Sequence, residues 1–135
     1  MAYDPWEGVP DGWSVDWVQL PVRGRCHWGT RTILLRISLS EVRARCVLAH
    51  EIVHAERGTA PAWARAREEA VVSAEAARRL ISLDALAEAL AWSLSLSEVA
   101  EELAVDRPTL EALLGDLTPQ EVEELTRRLR HHFGG

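Results

Sequence analysis

Lysine and asparagine are absent from this chain, and methionine, tyrosine and phenylalanine occur once each. All fifteen basic side chains are arginine, the skew of a GC-rich coding sequence. Two cysteines, Cys26 and Cys46, are too few for a disulfide framework, and reduced thiols are expected. No apolar run approaches the roughly 20 residues that span a bilayer, so no membrane association is expected. The opening MAYDPWEGVPDGW has neither a basic start nor an apolar stretch behind it, which argues against a secretory signal. A cytoplasmic protein is the expectation from these absences. Low-complexity linkers and sustained repeats are missing too. What remains is 47% hydrophobic and 27% charged, which excludes a disordered or collagen-like chain. At 135 residues it predicts a single domain, 1–135, able to build a core without covalent staples.

Charge is unevenly placed. Residues 1–82 hold eleven arginines against ten acids, a net of +1, and residues 83–135 hold four against eleven, a net of −7. An acidic C-terminal part argues against phosphate-driven nucleic-acid binding.

The chain reads as α+β, with a small antiparallel sheet of about three strands first and helices after it. Pro5, Gly8, Pro10 and Gly12 mark 1–13 as an irregular lead-in that Trp6 and Trp13 pin to the core. VDWVQL at 15–20, Gly24 to Cys26, and TRTILLR at 30–36 are the strand candidates. Ser38 and Glu41 have capping-box spacing and predict a helix to about Arg57, stopped by Gly58. Pro61 marks the approach to a second helix ending near Leu80. A third covers 82–92, and Ser95 with Glu98 opens a fourth. Asp106 and Pro108 open a fifth, closed by Gly115, and Thr118, Pro119 and Glu121 open a sixth to about His131.

The chemistry lies in CVLAHEIVHAERG at 46–58. His50 and His54, four apart on a helix, project from one face and can reach one ion. Zinc suits imidazole nitrogen and tolerates an open position in a tetrahedral site. Glu51 lies about 100° round the helix, beside the ion, where it can take a proton from metal-bound water and later pass it to a leaving amine.

A catalytic zinc needs a third protein ligand, and the next helix carries Glu68, Glu69 and Glu75. If the two helices form an antiparallel hairpin, Glu69 returns to the height of the histidines. Glu69 also shares a face with Val72, Ser73 and Ala76. Glu75 overshoots and Glu68 points away, although both stay open at this point.

These segments resemble the ImmA/IrrE family of metallopeptidases over about Trp17 to Ala112. TRTILLR followed by CVLAHEIVHAERG is similar to the family's strand and HExxH helix. EAVVSAEAARRLI at 69–81 resembles its E-x-x-A-N-x-F-A-A-x-L-L-I-P block, with Ser73 in place of the usual Asn and Ser82 of the usual Pro. In that register Glu69 falls on the zinc-ligand glutamate. The resemblance implies a small cytoplasmic zinc endopeptidase, HExxH and gluzincin-like, encoded in a phage or mobile element. Its implied substrate is a helix-turn-helix repressor, a basic DNA-binding protein that the acidic end would suit. The alternative is a metal-containing module that binds a repressor without cleaving it.

Other residues read more plainly. Tyr3 and His27 are weak candidates to hold an oxyanion, and His27 reads as a turn residue. His131 and His132 read as a solvated terminus, the tryptophans as anchors with Trp28 near a groove, and Cys46 as a packed thiol. LSEVAEELAVDRPTLEALL has helix-turn-helix rhythm, but Arg107 is its only cation, so a packing or protein-contact role is expected.

Overall fold

The computed structural model describes residues 3–93 and 95–134. Met1 and Ala2 of the lead-in and Gly135 of the terminus lie outside them. Three strands, β1 (Ser14–Val18), β2 (Gly24–His27) and β3 (Thr32–Arg36), precede six helices. These are α1 (Glu41–Arg57), α2 (Arg65–Leu80), α3 (Leu83–Trp92), α4 (Leu96–Glu102), α5 (Arg107–Asp116) and α6 (Pro119–Gly134). The α+β class and the three strands are as the sequence indicates.

The sheet is mixed rather than antiparallel. Its order is β1-β3-β2, with β1 parallel to β3 (Ser14 opposite Thr32, Val18 opposite Arg36) and β2 antiparallel (Gly24 opposite Leu35). β3 takes the centre because Ile33 and Leu35 are fully buried, so it gains most from pairing on both edges. A parallel pair needs a crossover, and the β2–β3 hairpin itself supplies it. The link at 19–23 steps over the end of β3, where Arg36 N–H donates to the Arg23 carbonyl and Ile37 N–H to the Val18 carbonyl. Pro5 is buried in the lead-in, Trp13 packs against the sheet core, and Trp6 stacks on Trp17 of β1 with centroids 5.9 Å apart.

Helix boundaries follow their caps. The α1 cap is Ser40, whose hydroxyl accepts from Arg43 N–H at 3.2 Å, not Ser38. Ser38 has φ +77° and serves as the bend leaving the sheet, so it cannot take the extended conformation an N-cap adopts. Pro61 precedes a short 3-10 turn, Ala62–Ala64, and α2 begins only at Arg65. Ser82, Ser95 and Asp106 cap α3, α4 and α5 by accepting from Ala85, Glu98 and Thr109 N–H. Thr118 and Glu121 bond reciprocally at the start of α6.

α1 is buried on two sides. Val47, Leu48 and Ile52 pack on Ile33 and Leu35 of the sheet. Cys46, Ala49 and Val53 join a second cluster with Val72, Ala76 and Ala77 of α2, Leu86 of α3, and Leu110 and Leu113 of α5. Alanines at the α1–α2 contact let the two backbones run close together. Among the described residues no helix is long and apolar enough to cross a membrane.

The second cluster is closed at one end by Arg78, which donates to Asp116 at 2.7 Å and to both oxygens of Glu121 at 2.8 Å. Arg78, and then the Thr118 N–H, hold the Glu121 carboxyl down to about 2 from an ordinary 4.5. A folded pKa below the unfolded one adds stability above about pH 4.5 that is lost as pH falls toward 2. Replacing Arg78 by Met should flatten the fall in stability across that window, read as denaturant midpoints at successive pH values.

Candidate metal centre

His50 and His54 share the inward face of α1 above the α1–α2 contact, with ring centroids 4.9 Å apart. The last turn of α1 is pinned at His54. Its carbonyl accepts from Gly58 N–H at 3.0 Å and from Trp28 Nε1–H at 3.0 Å. Gly58, at φ +84°, makes the turn that ends α1. Trp28 therefore anchors the turn and also stands edge-on to the His54 ring, with centroids 6.3 Å apart.

α2 returns antiparallel and brings Glu69 between the imidazoles. Oε1 lies 2.5 Å from His50 Nε2, and Oε2 lies 2.9 Å from His54 Nε2. The alternatives are engaged elsewhere: Glu68 accepts two bonds from Arg57, at 2.7 and 2.8 Å, and Glu75 accepts from Arg79 at 3.2 Å. Val72 and Ala76, on the face predicted to point inward, are buried.

One ligand atom from each of His50, His54 and Glu69 fits within a 4.8 Å span, and the group can hold a metal ion. Burial lowers the His50 pKa, which favours the neutral imidazole that a metal requires.

Glu51 faces the sheet side of the cluster. At 8% exposure it is the one buried charged residue among those described. Burial, and secondarily the charge of Glu69, push its carboxyl up to about 7. Such a value lets a carboxyl take up and return a proton near neutrality. β2 covers it closely because residue 24 is glycine: a Cβ there would stand 2.6 Å from Val47 Cγ1 and 3.3 Å from Glu51 Cγ. Gly24→Ala is therefore expected to cost about 1–3 kcal/mol by overpacking. Val47→Ala in the same chain should recover part of it, measured by urea unfolding.

Two cavities flank the cluster, with Glu69 in the wall of each. The one on the His50 side has a volume of about 330 Å³ and includes Glu51, Arg23 and Ser73. Its outer wall is α5, through Asp106, Pro108, Thr109 and Ala112. The cavity on the His54 side, of about 540 Å³, is lined by Trp28, Ala60, Arg65 and Ala66. The sequence offers no signal for the wall made by α5, since Thr109 and Ala112 mark one face of a helix without saying what it meets. The segment with helix-turn-helix rhythm is thus a packing element, with Arg107 turned to Ser97 and Glu111.

The remaining candidates lie away from the cluster or play structural parts. His27 is exposed at the end of β2. Tyr3 packs against the helical core. Cys46 is buried and its Sγ accepts from Asp106 N–H at 3.4 Å, while Cys26 is a free thiol whose pKa burial and Glu51 raise to about 12. His131 and His132 are exposed on α6, and His132 stands edge-on to Trp92 with centroids 5.0 Å apart. No protein-family model matches the chain, and no curated protein or solved structure matches it.

Proposed function

We propose that this chain is a zinc-dependent endopeptidase of the ImmA/IrrE type, acting in the cytoplasm on a protein substrate. The observation that supports it best is the convergence of His50, His54 and Glu69 within 4.8 Å, with Glu51 opening onto the same cavity. Two imidazoles and one carboxylate are the donor set of a hydrolytic zinc site with a position left for solvent or substrate.

His50 and His54 would hold the ion from α1 and Glu69 from α2. When bound, zinc supplies a Lewis acid that acidifies water and polarises a carbonyl. Glu51 accepts the proton that the attacking water loses and delivers it to the amine released from the scissile peptide bond. The two cavities give an extended chain room on both sides of the cluster. The acidic C-terminal helices would meet the body of a basic partner, for which a DNA-binding repressor is the proposed example.

The test is to incubate the zinc-loaded protein with a candidate repressor and with unstructured polypeptide in ¹⁸O-labelled water. New chain ends carrying one ¹⁸O, lost on adding a chelator, are the expected result. Repressor bound but intact, with no labelled ends from either substrate, would reject catalysis in favour of sequestration.

A further inference from the structure

We propose that the polypeptide segment bound across this centre is acidic on both sides of the metal cluster, with Arg23 receiving one flank and Arg65 the other. The claim about cleaved substrates rests on the peptidase reading, whereas the claim about binding does not need turnover.

A chain laid across the cluster enters both cavities, because His50 opens to one, His54 to the other, and Glu69 to both. Each cavity has a single arginine in its wall, Arg23 on the His50 side and Arg65 on the His54 side. Both are exposed, and neither has a carboxylate at ion-pair distance among the described residues. By contrast, the arginines that tie helices together are engaged: Arg57 by Glu68, Arg78 by Asp116 and Glu121, and Arg79 by Glu56.

Three of the acids in the same walls have hydrogen-bond partners within the fold, Asp106 from neutral donors. Glu68 is taken by Arg57, and Asp106 Oδ1 accepts from Thr109 N–H at 3.0 Å and Thr109 Oγ1–H at 2.5 Å. Glu69 is occupied by the two histidines, and Glu51 is buried. Arg23 and Arg65 are thus the cations in these walls that no carboxylate pairs among the described residues. Guanidinium, planar and weakly hydrated, pairs with carboxylate through two parallel bonds.

The probes are short peptides of one sequence, blocked at both ends so that no terminal carboxylate contributes. They carry Glu, Gln or Lys at the positions flanking the centre. Binding to zinc-loaded Glu51→Gln protein is measured by calorimetry, which keeps the peptides intact. Two exposed ion pairs predict about three- to tenfold tighter binding of the Glu peptide than the Gln peptide at low salt, shrinking at high salt. Arg23→Ala and Arg65→Ala should each remove part of that preference, and the double variant all of it. Equal binding of Glu and Gln peptides, tightest binding by the Lys peptide, no binding by any, or a preference that survives in the double variant would each overturn the proposal. Turnover of the same peptides by the unaltered protein separates the two claims. Acid preference without cleavage refutes the peptidase alone, and cleavage without acid preference refutes this inference alone.

Discussion

Replacing Glu51 by glutamine is expected to lower peptide turnover by about 10²- to 10⁴-fold, the usual contribution of a positioned acid–base group. Glutamine keeps the volume of the side chain between α1 and β2, so the packing of Val47 and Gly24 is retained. It has no oxygen that can take a proton from attacking water. His50, His54 and Glu69 are untouched, so metal content should match the unaltered protein when both are assayed by mass spectrometry. Turnover and occupancy thus separate: a variant that binds zinc normally and fails to cut assigns proton transfer to Glu51. Full activity in the variant would remove Glu51 from the mechanism and leave the buried carboxyl without a function.

The second large effect belongs to Glu69. Glu69→Ala should weaken zinc binding by more than the 10- to 100-fold typical of losing a group that only supports a ligand. The Glu69 side chain is 56% exposed and its two partners are the histidines themselves, so the fold should survive its loss. A ligand that binds only the folded chain raises the unfolding temperature by mass action. The zinc-dependent rise expected of the unaltered protein should therefore vanish in Glu69→Ala. Glu68→Ala is the informative control, because it removes the pairing with Arg57 and leaves the three donors in place. If Glu68→Ala lost zinc and Glu69→Ala kept it, the assignment of the third ligand would be reversed.

How much of this was legible in the sequence varied with the range of the interaction. His50 and His54 were, because four residues on a helix is a local geometry. Glu69 was nearly so: Gly58 and Pro61 announce a hairpin, and helix rise alone brings residue 69 back to the height of the histidines. The extra turn at Ala62–Ala64 shifted the start of α2 without changing that outcome. The sequence does not distinguish the cap of α1, because Ser38 and Ser40 are both hydroxyl residues near the helix start, and only the backbone bend at Ser38 separates them. Strand order was beyond reach. The link at 19–23 lacks a tight turn pair, and its length permits either a hairpin to the neighbouring strand or a step across β3. The wall formed by α5 and the arginines at the two cavities depend on contacts between distant segments, which residue spacing does not encode.

On the peptidase reading, Glu51 also sets the proposed activity against folding. A carboxyl enclosed between a helix and a strand, with no positively charged partner at ion-pair distance, opposes burial whenever it is ionised. The fold tolerates it because the two apolar clusters on either side of α1 supply the compensating stability. A sequence selected only for robustness would place an apolar residue there. Glu51→Leu is therefore expected to unfold at a higher denaturant concentration than the unaltered chain and, on the peptidase reading, to hydrolyse nothing, the signature of a position kept suboptimal for folding in favour of the proposed chemistry.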